Sequence, residues 1–173
     1  MRVGMKLMLC AALVAGCGSS SGGETFHASM SAAQEIPAPN VNTPAPSGTA
    51  VFTNNGDGTV SYTVTGQNTT ATATGVTPAN NYSGMHIHLA TVGNTAGVTV
   101  PLTTPANGST SFTVTGTFTS ATCGTGQVNC INSPSTLDTV LNAMRNGGAY
   151  INVHTNPRNQ PGEMRGQIAT GGL

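Results

Sequence analysis

The sequence predicts an all-β domain, and three observations support this prediction. Charged residues make up only 6% of the 173-residue chain, but hydrophobic residues make up 37%, so the chain can form a core. The β-branched residues Thr and Val recur throughout and pack well on a pleated surface. Gly, Asn and Pro, which favour turns, separate these stretches. We therefore expect an antiparallel β-sandwich with Greek-key connections, about eight strands and one short helix.

The first 16 residues are predicted to be a signal peptide. Arg2 and Lys6 form a positively charged start, and the apolar run at residues 7–15 is too short to span a bilayer as a helix. The sequence LVAGC at residues 13–17 resembles the bacterial lipobox, which makes Cys17 the expected lipidation site. The alternative is an ordinary signal peptide cleaved near Ala15, with Cys17 left as a free thiol.

The residues after Cys17 are typical of a flexible tether. Gly and Ser dominate residues 18–23, so residues 17–24 are predicted to link the lipid to a single domain at residues 25–173. The acyl chains on Cys17 would anchor the protein stably in a membrane. We expect an extracytoplasmic location in the cell envelope, and Gly18 after the cysteine favours the outer membrane by resemblance to enterobacterial sorting rules.

Two cysteines remain for the folded domain. Cys123 and Cys130 lie in a segment rich in Gly, Asn and Thr, which reads as a loop. In an oxidising compartment this pair is predicted to form a disulfide that makes the loop rigid. The alternative, half of a metal site, lacks a second cysteine pair or a nearby histidine.

The strands are predicted from alternating apolar and polar residues. The prolines at positions 37 to 46 mark an extended loop, and NNGDG at residues 54–58 is a strong hairpin signal. The predicted strands cover residues 25–32, 49–53, 59–65, 85–90, 97–102, 110–119, 149–155 and 163–169.

One helix is predicted between the last strands. Ser133 is a suitable N-cap, and Pro134 suits the first helical position. Gly147 is expected to end the helix. Apolar residues recur at helical spacing between these limits, at Leu137, Val140, Leu141 and Met144.

Histidines mark the most informative strands. In the stretch GMHIHL, alternation places His86 and His88 on one face of the strand and its apolar residues on the other. In YINVHT, His154 shares a face with Tyr150 and Asn152. If these two strands are neighbours, three imidazoles converge, and imidazole is a common ligand of Zn and Cu.

Four stretches in the same order resemble the CHRD (chordin) domain family. They are QEIP at residues 34–37, HIH at 86–88, YINVHT at 150–155 and PGEMRGQI at 161–168, so the resemblance spans nearly the whole mature chain. The loop with the two cysteines departs from the family pattern. The resemblance implies an immunoglobulin-like β-sandwich in an exported protein, and it implies no growth-factor binding in a bacterium.

The histidines have two open interpretations. In the first, they belong to a hydrogen-bonded polar network that fixes the register of the sheet. In the second, His86, His88 and His154 bind Cu or Zn, and Glu35 or Glu163 orients an imidazole from behind. Glu163 and Arg165 are two residues apart, so both are expected on the histidine face.

The remaining patterns limit the function. No nucleophile elbow, HExxH or P-loop occurs, which predicts a protein that is not an enzyme. Three arginines against five acidic residues in the mature part, with few aromatic residues, disfavour nucleic acid as a partner. We expect a non-catalytic binding or structural module of the cell envelope, with a protein or glycan partner that the sequence does not name. A metal-binding protein is the alternative, and an adhesion module is a third option.

Overall fold

The computed structural model describes residues 23–72 and 79–171. The predicted signal peptide, Cys17 and most of the tether lie outside these residues, so their prediction stands as made. The described chain folds into eight strands, one α-helix and a short 3-10 turn. In chain order these are β1 Glu24–Ser31, the turn Ala32–Gln34, β2 Ser47–Asn54, β3 Thr59–Gln67, β4 Asn81–His88, β5 Val98–Pro101, β6 Phe112–Thr119, α1 Leu137–Arg145, β7 Ala149–Asn156 and β8 Asn159–Thr170.

All eight strands belong to one antiparallel sheet. Its order is β5-β4-β7-β8-β1-β2-β3-β6, so β5 and β6 are its two ends. The all-β class, the strand count and the single helix are as predicted. The predicted Greek-key, immunoglobulin-like sandwich is not confirmed. The sheet curves into a nearly closed, barrel-like form instead of splitting into two packed layers. Alternation along a strand is compatible with either arrangement, because it shows which residues face a core but not how the sheet surrounds it.

The core lies inside this curved sheet. Every strand except β5 and β6 contributes several fully or nearly fully buried apolar side chains, and the largest include Phe26, Phe52, Phe118, Ile151 and Met164. The helix α1 packs against β7 and β8, with Val140, Leu141 and Met144 buried in the same cluster. No helix in the described part of the chain is long and apolar enough to cross a membrane.

The helix begins later than predicted. Its N-cap is Thr136, whose hydroxyl accepts a hydrogen bond from the Thr139 N–H at 3.3 Å, so Ser133 and Pro134 are not its first residues. The reason is a preceding turn in which the Ser135 N–H donates to the Asn132 carbonyl at 3.1 Å. The end is as predicted, because Gly147 directly follows the C-cap and has a φ of +64°.

A disulfide-closed loop lies between the two ends of the sheet. Cys123 and Cys130 are bonded, which confirms the predicted pairing. Within this loop Asn129 donates its backbone N–H to the Pro101 carbonyl on β5 at 2.7 Å, and its own carbonyl accepts from Thr119 on β6 at 3.0 Å. The Asn132 N–H also bonds the Thr99 carbonyl on β5 at 2.8 Å. These bonds connect β5 with β6 across the seam, the gap between the two end strands of the sheet, which do not pair directly.

Candidate functional site

The three predicted histidines lie together on the outer face of the sheet. On β4, Met85 and Ile87 are fully buried in the core, so His86 and His88 point to the opposite face. β4 pairs with β7, where His154 lies opposite Gly84, a glycine over which the His86 ring lies. The convergence therefore follows from the pairing of β4 with β7.

The imidazoles are close enough to share one ion. One nitrogen from each ring lies within 4.8 Å of the other two. His86 Nδ1 and His154 Nε2 are 3.1 Å apart. Metal–nitrogen bonds of about 2.0–2.1 Å in a tetrahedral site require nitrogens about 3.4 Å apart. The 3.1 Å separation is shorter than that value, so these two rings must shift to bind one ion together.

Hydrogen bonds define the protonation of each ring. A carbonyl oxygen can only accept, so His88 Nδ1 donates to the Ala96 carbonyl at 2.9 Å and His154 Nδ1 donates to the Gln160 carbonyl at 2.8 Å. His154 Nε2 then carries a lone pair and accepts from His86 Nδ1. His88 Nε2 carries a lone pair too, and it is buried without any hydrogen-bond partner. This pattern, with one nitrogen tied to a carbonyl and the other free, is typical of metal-binding histidines.

The environment keeps these rings neutral. Burial, together with the neighbouring His154 and His88, lowers the pKa of His86 to about 4. Burial also lowers the pKa values of His88 and His154, although the backbone carbonyls that their N–H groups contact act in the opposite direction. Neutral imidazole is the form that binds a metal, so the three rings have the charge state that a metal site requires at neutral pH.

A stack of flat side chains supports His88 from one side. The Tyr150 ring lies parallel to the His88 ring, with centroids 4.8 Å apart and an interplanar angle of 9°. The Arg165 guanidinium covers Tyr150 at 3.7 Å from its centroid. Arg165 also donates two hydrogen bonds to the Asn94 carbonyl, both at 3.1 Å. Tyr150 therefore lies between Arg165 and His88. Arg165 helps to position His88 through this stack and forms no hydrogen bond with it.

Glu35 reaches the same face from the turn after β1. It is 5% exposed, and its carboxylate accepts hydrogen bonds from the Ile36 N–H at 3.1 Å and from Asn152 Nδ2 at 3.3 Å. Burial raises the pKa of Glu35 to about 7, although those two donors and the Arg165 charge oppose the rise. Glu35 contacts Asn152 instead of a histidine, so it acts on the cluster through that amide.

Glu163 does not join this face, so the expectation that it lies on the histidine face with Arg165 is wrong. Its side chain is fully buried and accepts a hydrogen bond from the backbone N–H of Thr70, three residues after the end of β3. The pairing of β7 with β8 shifts register between Val153 and Thr155, next to Glu163. Simple alternation fails at such an irregularity, so Glu163 and Arg165 do not share a face.

The opposite pKa shifts of Glu35 and His86 lead to a prediction for the metal-free protein. Glu35 has an ordinary pKa of 4.5 and a folded value of about 7. Its contribution to the free energy of unfolding therefore rises as the pH falls from about 7 to 4.5. The pKa of His86 changes from 6.5 to about 4 on folding, so its contribution to the free energy of unfolding is lost as the pH falls through that interval. The two effects largely offset each other in the wild type.

Replacing Glu35 with Gln removes the first effect and leaves the second. We expect Glu35→Gln to be more stable than the wild type at pH 8 and to lose that advantage, about 2 kcal/mol, by pH 4.5. Urea unfolding followed by circular dichroism at both pH values, with a chelator present, measures the difference. A constant difference between variant and wild type across this range would contradict the raised pKa.

Two site residues were missed by the sequence analysis. Asn152 was placed on the histidine face but was not considered as a metal ligand, and Gly162 appeared only as part of the PGEMRGQI stretch. A Cβ at Gly162 would collide with the Glu35 carboxylate and lie 2.7 Å from Asn152 Nδ2. The position of Asn152, two residues before His154 on the same strand face, was a usable signal. The need for glycine at position 162 depends on a long-range contact that no local pattern reveals.

The fold and the site together define an all-β, barrel-like domain with a histidine cluster on its outer face. A model of the CHRD domain family matches residues 26–168, and the chain belongs to this family. This confirms the resemblance stated from the four sequence stretches. Searches of curated proteins and of solved structures find no match.

Proposed function

We propose that this protein is a lipid-anchored, non-catalytic binding module of the cell envelope, and that its outer-face histidines bind a Cu or Zn ion. The observation that carries the metal proposal is His88 Nε2. This atom is buried without a hydrogen-bond partner, while the other nitrogen of its ring is tied to a carbonyl. A network built only to fix sheet register has no reason to leave a buried acceptor unpaired, because that costs about 1–3 kcal/mol.

The donor set supports Cu or Zn over other ions. Three imidazole nitrogens suit these two metals, whereas Mg and Ca prefer oxygen ligands. The three rings are neutral and would not offset the charge of a divalent ion. The Glu35 carboxylate on the same face would offset part of it. The family membership supports a binding or structural role, and it names no ligand.

Metal analysis of the mature chain, beginning at residue 17 and carrying Cys17→Ser to keep it free of lipid, tests the proposal. We expect one equivalent of Zn or Cu per chain after loading and dialysis, and none in a His86→Ala/His88→Ala double variant. The matched control is His27→Ala, because His27 lies on β1 outside the cluster and should leave the stoichiometry unchanged. No bound metal in the wild type would leave the histidines as structural residues and direct the search to protein or glycan partners.

The lipid anchor has a separate test. We expect Cys17→Ser to abolish labelling with a fatty-acid analogue and to release the protein from the membrane fraction, because the acyl chains supply the membrane affinity. Cys10→Ser, which changes a cysteine within the predicted signal peptide, serves as the control and should keep both properties. Membrane-bound, lipid-labelled Cys17→Ser would show that the lipobox prediction is wrong.

A further inference from the structure

A second buried polar atom at the histidine cluster lacks a partner. Asn152 is 3% exposed, and its side-chain oxygen Oδ1 forms no hydrogen bond. The residue lies opposite His86 in the pairing of β4 with β7, and two positions before His154 on the same strand. An unpaired carbonyl oxygen and an unpaired imidazole nitrogen, both buried, therefore occur on two paired strands.

The amide of Asn152 is oriented by its other end. Its Nδ2 donates to the Glu35 carboxylate at 3.3 Å and faces the Pro161 carbonyl at 3.5 Å. Both partners are acceptors, so the NH2 group must lie on their side and Oδ1 must lie on the other. The oxygen thus points away from the Glu35 carboxylate, in a residue that pairs with His86 across the two strands.

We propose that Asn152 Oδ1 is the fourth donor at the histidine site, which completes a set of three nitrogens and one oxygen. The proposal rests on the metal-binding function above and makes it more specific. An amide oxygen is a hard donor, and the Glu35 carboxylate behind the amide supplies negative charge. Both features favour a divalent ion, Zn²⁺ or Cu²⁺, over the softer Cu⁺, which prefers thiolate, thioether or imidazole ligands.

The role of Glu35 in this arrangement is to hold Asn152 in position. Its carboxylate accepts from Nδ2, which prevents the amide from turning its oxygen away from the histidines. Hydrogen bonds of this kind behind a ligand are worth 10–100-fold in metal affinity. Gly162 permits the arrangement, because any larger residue would occupy the space where the carboxylate and the amide meet.

The test compares the affinities of the mature Cys17→Ser chain for two ions. We expect Asn152→Ala to raise the Kd for Zn²⁺ at least tenfold and to change the Kd for Cu⁺, measured by chelator competition, by less than threefold. The matched control is Asn142→Ala, on the exposed face of α1, which should change neither value. Equal affinities of Asn152→Ala and wild type for Zn²⁺ would overturn the proposal, and so would equal losses for both ions.

A second measurement needs no folded variant at position 152. In the ¹⁵N spectrum of the wild-type side-chain amides, Zn²⁺ should shift the Asn152 resonance, because binding through the oxygen withdraws electrons from the amide nitrogen. An unshifted resonance in a Zn-loaded chain would overturn the role of Asn152 while leaving the histidine site intact. A wild-type chain that binds no Zn²⁺ at all would instead contradict the proposed function.

Discussion

Replacing Gly162 with alanine is expected to destabilise the protein by about 3 kcal/mol. Gly162 has a φ of +148°, a conformation that residues with a Cβ rarely adopt. The new methyl group would also collide with the buried Glu35 carboxylate and lie 2.7 Å from Asn152 Nδ2. Relief requires Glu35 to leave its hydrogen bonds to Ile36 and Asn152, and a buried carboxylate has few other partners.

Urea unfolding at pH 7 followed by circular dichroism measures this loss. The matched control is Gly97→Ala, because a Cβ at Gly97 meets no atom within 4 Å and should change stability by less than about 0.5 kcal/mol. Zn²⁺ affinity should also fall in Gly162→Ala, since the displaced carboxylate no longer orients Asn152. Equal stability of Gly162→Ala and Gly97→Ala would contradict the contact between Gly162 and Glu35.

Removing the disulfide is expected to cost about 2.5 kcal/mol, because the bond closes a loop of eight residues and limits the unfolded chain. The effect should concentrate at the seam of the sheet. Asn129 in this loop and Asn132, two residues after it, donate their backbone N–H groups to β5, and the Asn129 carbonyl accepts from β6. When the loop is free to move, these bonds are weakened and β5 becomes an open edge.

The double variant Cys123→Ser/Cys130→Ser tests this expectation. Amide hydrogen exchange should accelerate at Asn129 and Asn132 more than at β1 and β2, which lie within the strand order and away from both ends of the sheet. Reduction of the wild type with a thiol should give the same pattern. Uniform acceleration across all strands would show that the disulfide stabilises the domain as a whole and has no special role at the seam.

Local sequence determined the elements of this fold. Alternation located the strands within a few residues, and NNGDG marked the hairpin between β2 and β3. The apolar spacing of α1 identified its buried face, at Val140, Leu141 and Met144. The disulfide was predicted because only Cys123 and Cys130 remain when Cys10 is assigned to the signal peptide and Cys17 to the lipid anchor. These features depend on neighbours in the chain, or on the count of one residue type, so no knowledge of the tertiary structure was needed.

The site was predictable only in part. His86 and His88 were assigned to one face because a strand has a period of two residues. Their meeting with His154 required β4 and β7 to pair, which the sequence raised as a condition. The unpaired oxygen of Asn152 became visible only when Glu35, from a turn far away in the chain, was found to occupy its amide group.

The tertiary structure alone decided how the strands are arranged and where alternation fails. The strand order places β8 beside β1 and leaves β5 and β6 as ends, which produces a barrel-like sheet instead of a sandwich. The register shift near Glu163 moved that carboxylate away from the histidines and onto Thr70. Both outcomes depend on hydrogen bonds between residues far apart in the chain. Periodicity within one strand carries no information about such partners, which is why the sequence by itself did not determine them.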